Sequence, residues 1–318
     1  MSPVLTVLLR SLLAIVALLT AFAYTMLLER KVLGFFQLRY GPTKVGPWGL
    51  MQPLADAVKM MLKEDIRPAG IDRFIFWLAP SISLFAAFAV FAVVPIGPGG
   101  AVADPPGGLL YFLALASLGV YGVSLGGWSS QSKYSLLGSL RATAQMISYE
   151  LAMGMALLAV VALAGTLSLQ GMVAAQARIW FFLPEIVAFV IYLICATAEG
   201  NRAPFDLAEA ESELVAGYHT EYSGLRFAMF VMAEYINAIT LSVLGALLFL
   251  GGWRGPAPIP GIIWLLLKTG ALIFVLMWVR ATFPRLRYDK LMDFGWKWLL
   301  PLAFLNLAGT AIFIAVRG

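Results

Sequence analysis

Apolar runs of roughly twenty residues recur along this chain, at about 3–28, 72–95, 108–128, 142–164, 181–199, 227–251, 259–280 and 295–316, with charged segments between them. Twenty helical residues at ~1.5 Å each match the ~30 Å hydrocarbon core of a bilayer. Lipid offers no partner to a backbone amide, so each run must close its own hydrogen bonds as an α-helix. A barrel would instead show alternating segments of about ten residues. The fold class is therefore all-α, a polytopic membrane helix bundle of about eight spans. With 61% of residues hydrophobic and 12% charged, nothing is left for a soluble module, and residues 1–318 read as one integral membrane domain. Arg10, a leucine-rich stretch and Ala21-Phe22-Ala23 imitate a signal peptide, but the apolar run continues to Leu28 and is expected to stay as a span.

The basic residues are sorted by side. Of 22 Lys and Arg, 17 lie in or beside the loops after spans one, three, five and seven; the other side holds Arg178, Arg254 and Arg317, and Arg10 and Lys268 lie within spans. The positive-inside rule then makes the odd-numbered loops cytoplasmic and sends both termini to the periplasmic side of a bacterial cytoplasmic membrane. The net charge of +5 is a topological signal and not a nucleic-acid site. One cysteine, Cys195, and one histidine, His219, cannot supply a bis-histidine haem or a four-cysteine cluster. No metal site is expected, His219 reads as structural, and any redox centre must sit on a partner.

The loop after the first span carries an element of its own. Over residues 48–63, Gln52, Asp56, Lys59 and Lys63 recur at helical spacing within an arc of about 60°, and the remaining surface is Leu50, Met51, Leu54, Val58, Met61 and Leu62. The segment is too short to span and Pro53 fits only its first turn, so it reads as an interfacial amphipathic helix. It is either a peripheral anchor or the roof of a cavity with its polar stripe turned toward protein.

Eight carboxylates fall close together in this apolar chain: Glu150, Glu199, Asp206, Glu209, Glu211, Glu213, Glu221 and Glu234. An ionisable group at membrane depth costs about 3 kcal/mol on insertion scales, so the default reading is a proton or ion route. Glu150 lies nine residues beyond Arg141, and Glu234 eight beyond Arg226, which puts both ~12 Å into their helices. Two carboxylates at one depth suit proton uptake and release; the alternative is hydrogen-bonded glue. Lys268 is a candidate counter-charge. If residues 206–215 are helical, with Pro204 fixing the approach, Asp206, Glu209 and Glu213 share one face and Glu211 does not. Either a basic partner covers that face, or it lines a watery funnel, or it is a solvated charge run.

Glu29-Arg30-Lys31-Val32-Leu33-Gly34 with Gln37-Leu38-Arg39-Tyr40-Gly41-Pro42, Lys133-Tyr134-Ser135-Leu136-Leu137-Gly138, Ile147-Ser148-Tyr149-Glu150, Arg202-Ala203-Pro204-Phe205-Asp206 through Glu221-Tyr222, and Arg280-Ala281-Thr282 with Arg285-Leu286-Arg287-Tyr288-Asp289 resemble the NADH dehydrogenase subunit 1 family, the quinone-site membrane subunits of NADH-quinone oxidoreductase. The resemblance covers nearly the whole chain. It implies an eight-helix membrane subunit of respiratory complex I, a proton-translocating NADH:ubiquinone or menaquinone reductase. Quinone would be the substrate, with nothing bound covalently, and iron-sulfur clusters and FMN would sit on partner subunits. The partners implied are hydrophilic-arm subunits carrying the terminal cluster and quinone site, other small membrane subunits and antiporter-like subunits. Carried over, Arg39, Asp56, Arg202, Phe205, Asp206 and Arg280 would line or brace the quinone path. Glu150, Glu199, Asp206, Glu209, Glu211, Glu213, Glu221 and Glu234, with Tyr235, would form the acidic proton route. One departure stands out: some members carry a glutamate on the third span where this chain has Ser117, which puts a relay through that span in doubt.

Three other readings compete. The membrane subunit of an energy-converting hydrogenase, or of another donor:quinone oxidoreductase, would share much of the pattern with a different partner. A stand-alone proton or cation carrier would show inverted halves, which are not visible. A purely structural anchor would not bear the cost of Glu150 and Glu234.

Overall fold

The computed structural model describes residues 3–206, 215–256 and 258–317. Seven helices among them are long and apolar enough to cross a membrane. They are α1 (Pro3–Phe36), α3 (Arg73–Val90, prolonged by a 3-10 turn to Val93), α4 (Gly108–Ser129), α5 (Lys133–Ala164), α8 (Gly224–Leu248), α9 (Gly261–Thr282) and a last rod from Tyr288. That rod is α10 (Tyr288–Phe294), one π-helical turn (Gly295–Leu299) and α11 (Leu300–Arg317). The fifth apolar run forms α7 (Ile186–Glu199), only 14 residues long. It starts five residues later than its hydropathy suggests because the preceding chain is held in a turn: Gln176 takes the Phe181 N–H at 3.2 Å and the Phe249 carbonyl takes the Phe182 N–H at 2.9 Å.

Two short helices join them among the described residues, α2 (Gln52–Leu62) and α6 (Leu169–Ala175). The short helix expected over residues 48–63 begins at Gln52 and not Trp48. Gly46, Trp48 and Gly49 have φ of 72°, 58° and 75°, and a Cβ on Gly49 would stand 2.2 Å from the Pro42 carbonyl, so the chain there is a tight left-handed turn no helix continues through. Pro53 sits in the first turn, where its missing N–H costs nothing.

The helices alternate in direction, and loop-to-loop bonds fix which connections share an end. The Asp72 N–H reaches the Ser129 carbonyl, Ile66 N–H the Ser223 hydroxyl and Leu286 N–H the Pro204 carbonyl, which gathers the connections after α1, α4, α7 and α9. At the opposite end Leu109 N–H meets the Leu167 carbonyl, and Arg10 reaches the carbonyl of Ala101. Close helix approach rests on small residues: Gly122 of α4 lies on Ser83 of α3, and Gly127 of α4 lies on Ser139 of α5. The core of Phe112, Tyr149, Leu157, Ile191, Tyr192 and Phe249 is almost fully buried. Leu12 and Leu13 of α1 point outward, as lipid-facing side chains do.

Lys268 is not a counter-charge to the acidic residues. Its ammonium donates to the carbonyls of Leu250 (2.5 Å), Gly252 (2.9 Å) and Arg254 (2.6 Å) and rests 4.2 Å from the Trp180 ring. The turn after α8 leaves these carbonyls without helical partners, and an ammonium with three donors satisfies them and the negative end of the helix dipole together.

Candidate functional site

The loop after α7 turns a buried arginine into the bundle. Arg202 is 8% exposed; its Nη1 donates to Glu29 Oε2 on α1 at 2.7 Å and its Nε to Glu234 Oε1 on α8 at 3.0 Å. The guanidinium lies 4.2 Å from the ring of Tyr235, the next residue on α8. Arg280, in the last turn of α9, donates to the other oxygen of Glu29. Two carboxylates and two guanidinium groups therefore form one neutral cluster that ties α1, α8, α9 and the loop together. The planar fork of arginine suits it to two acceptors at once. Arg202, Glu234, Tyr235 and Arg280 are legible in the sequence as site residues, whereas Glu29, only 2% exposed, shows there only as part of a motif. A signal for it does exist, since Glu29 is the only acidic residue before Asp56 in a basic stretch.

Beside this cluster Glu199, 7% exposed at the end of α7, faces a cavity of about 30 Å³ shared with Glu234, Asn201, Asn237 and Tyr218. A space of that size accommodates a water able to bridge the two carboxylates. Glu199 also lies within electrostatic reach of Glu150. Glu150 itself is hydrogen-bonded to Ser117 on α4 at 2.6 Å. Glu150 and Glu234 thus do not meet directly, and Glu199 stands between them.

The remaining candidates fall elsewhere. Asp56 is buried and accepts from Arg30 Nη1 at 2.7 Å and Gln52 Nε2 at 3.1 Å, with Lys59 Nζ at 3.5 Å, so Asp56 faces α1 while Lys59 and Lys63 of the same stripe are exposed. Phe205 is buried edge-on against Tyr149, ring centroids 5.4 Å apart, next to the half-buried Asp206. Glu221 is half-buried in the loop before α8, and Arg39 is exposed, bonded to Gln37 and apart from the cluster. Glu209, Glu211 and Glu213 lie outside the described residues. A further buried carboxylate, Glu185, accepts from Asn306 Nδ2 at 2.6 Å and from Thr310, which ties α7 to α11 at the end away from the cluster.

Two supports hold the loop in place. Gln145 of α5, fully buried, donates to the carbonyls of Ala198 at 2.7 Å and Phe205 at 2.9 Å. Gln145→Leu takes the donor from the Phe205 carbonyl at a cost of about 1–3 kcal/mol, while the Ala198 carbonyl keeps the Asn201 N–H at 3.2 Å. A lower thermal unfolding midpoint in detergent is expected, and an unchanged midpoint would contradict this pinning. The second support is aromatic: Tyr222 stacks on Phe76 at 4.0 Å, and Gly138 of α5 packs so closely that a Cβ would stand 2.8 Å from Gly217 Cα. Burial in this nest lowers the His219 pKa to about 4 and pushes the Tyr222 hydroxyl up to about 12. Both are neutral near pH 7, which suits the structural reading of His219.

Near the cluster lies an apolar pocket of about 500 Å³ between α1, α2 and α8. Phe22, Met26, Met60, Ala228 and Met232 line its length, while Arg30, Asp56, Lys59 and Tyr235 supply its polar edge. An elongated apolar molecule with a polar head would match that lining.

Comparison with known proteins agrees with this architecture. The NADH dehydrogenase family model matches residues 9–311. Among similar proteins, the H-type NADH-quinone oxidoreductase subunit of Protochlamydia amoebophila is 52% identical over 308 residues, covering 93% of this chain and 94% of that protein. One of the corresponding subunits of Geobacter metallireducens is 52% identical over 94% of this chain and 93% of its own length. The corresponding subunit of Magnetococcus marinus is 51% identical over 94% of this chain and 89% of its own length. The chain belongs to the NADH dehydrogenase family.

Proposed function

We propose that this chain is a membrane subunit of respiratory complex I, the proton-translocating NADH-quinone oxidoreductase, where it forms quinone's lateral path and the start of an acidic proton route. The observation that carries the path is the pocket between α1, α2 and α8, whose far wall is Tyr235, the ring on which Arg202 rests. Burial of an isoprenoid tail there gains about 25 cal/mol per Å² of apolar surface. On this reading α2 is the roof of the path, held down by the Arg30–Asp56 pair. The end bearing the Arg202 cluster faces the cytoplasm, under hydrophilic-arm subunits that bring FMN and the terminal iron-sulfur cluster. Small membrane subunits and antiporter-like subunits lie alongside, and both termini face the periplasm.

Reduction of a quinone to its quinol takes two electrons from the partner's cluster and two protons. Charge developing beside Asp206 and the loop acids shifts the balance of the Glu29–Arg202–Arg280–Glu234 cluster. Glu234, Glu199 and Glu150 then relay that change away from the quinone end. The hydrogenase-type alternative is not favoured, because relatives matching over nine-tenths of this chain carry the NADH-quinone oxidoreductase name.

Ala228→Trp tests the path, because Ala228 lines the pocket. Reduction of a long-tailed quinone by the assembled complex is expected to fall about tenfold, equivalent to ~1.4 kcal/mol. NADH oxidation by a soluble artificial acceptor should hold, which reports an intact arm. A wild-type rate with the long-tailed quinone would rule the pocket out as its path.

A further inference from the structure

Ser117 stands where the sequence suggests a break in the proton route, yet it touches the route directly. Its hydroxyl lies 3.0 Å from the Leu113 carbonyl one turn back on α4 and 2.6 Å from Glu150 Oε1 on α5. A hydroxyl carries one hydrogen and two acceptor lone pairs, whereas a carbonyl only accepts. Both contacts are therefore full hydrogen bonds only when the Glu150 carboxyl brings a hydrogen of its own. In that state the carboxyl O–H donates to Ser117 Oγ, and the Ser117 O–H donates to Leu113. When the carboxyl gives up its proton, the serine hydrogen has a better acceptor in the carboxylate, since charge-assisted bonds are about twice as strong. The hydroxyl turns toward Glu150, and the Leu113 carbonyl keeps its place in the backbone ladder. A separation of 2.6 Å serves both arrangements.

We infer that Ser117 is a positioning residue of the proton route, whose hydroxyl reverses its hydrogen bond as Glu150 gains and loses a proton. No proton is gained or lost by Ser117 itself. Glu150 can then hold either charge state without a second carboxylate on α4. The titratable group within its electrostatic reach is Glu199 on α7, while the Tyr149 hydroxyl points away, donating to the Leu291 carbonyl at 3.0 Å.

This inference rests on Glu150 belonging to the route, and the experiment separates the two. Redox-induced infrared difference spectra of the whole complex are recorded for wild type, Glu150→Gln, Ser117→Ala and Ser117→Thr, alongside proton-to-electron ratios in proteoliposomes. The carboxyl C=O band that Glu150→Gln removes is expected to move to higher frequency in Ser117→Ala, with a several-fold slower coupled turnover, and to return in Ser117→Thr. An unmoved band, the absence of any band sensitive to Glu150→Gln, or an alanine defect that threonine leaves uncorrected would overturn it. A Glu150→Gln complex that pumps and turns over like wild type would instead overturn the route, whatever the band does in Ser117→Ala.

Discussion

Replacing Arg202 with leucine is expected to abolish quinone-linked turnover and to destabilise the assembled subunit by about 3–5 kcal/mol, the range for removing one partner of a buried ion pair. Arg202 answers two carboxylates, at 2.7 Å and 3.0 Å, and Arg280 bonds Glu29 while reaching Glu234 only through space. Glu234 would be left without its partner among low-dielectric surroundings, and the loss would exceed that of a surface pair several-fold. Arg202→Lys should restore little, because the ammonium is a compact point charge without the planar fork that spans from Glu29 to Glu234 while stacked on Tyr235. Adding Glu234→Gln to Arg202→Leu should recover part of the stability but not the turnover, since the charge is balanced while the relay stays broken. Thermal inactivation of the complex and quinone-reductase rates in native membranes measure both. An Arg202→Leu enzyme with more than half the normal rate would contradict the cluster's role.

Gly127→Val should prevent the subunit from accumulating, and Gly127→Ala should lower its thermal midpoint and turnover together. A Cβ at this position would stand 2.2 Å from Ser139 Oγ, 2.3 Å from Ser139 Cβ and 2.5 Å from the Ser135 carbonyl. The hydroxyl can rotate away, but the carbonyl belongs to the backbone of α5, so the helices must part. Overpacking of this kind costs about 1–3 kcal/mol per site. Parting α4 from α5 also stretches the Ser117–Glu150 contact, so function should decline along with stability. Gly154→Ala on α5 is the control: nothing lies within 4 Å of its Cβ, and it should be neutral or stabilise by up to about 1 kcal/mol. Amounts of assembled complex on native gels and midpoints in detergent decide it; equal behaviour of the two alanine variants would contradict the packing argument.

The bundle is legible in the sequence because a span is a local matter: lipid forces each apolar run to satisfy itself, so period and length are enough. The stripe on α2 is legible for the same reason, and its true start is lost only to the left-handed turn at Gly46, Trp48 and Gly49. The cluster is not legible as a cluster. Arg202 meets Glu29 across 173 residues and Arg280 meets it across 251, and nothing in either neighbourhood records the other. Lys268 misleads on similar grounds, since composition marks a buried cation but not the unsatisfied carbonyls that call for one. Ser117 shows a related limit: the sequence marks a missing carboxylate but not the 2.6 Å contact that the hydroxyl in its place makes with Glu150.

The lysine clamp on the turn after α8 has a mechanical consequence. One end of α8 is fastened by three bonds to backbone, while Glu234 and Tyr235 sit nearer the other end. From Leu248 back to Glu234 is a lever arm of ~21 Å at 1.5 Å per residue, so a tilt of only about 3° about the fastened end sweeps the carboxylate through ~1 Å. That displacement is enough to break a 3.0 Å bond to Arg202. Glu234 lies far along that arm from the clamp, which makes its position a sensitive pointer to small changes in the charge beside it.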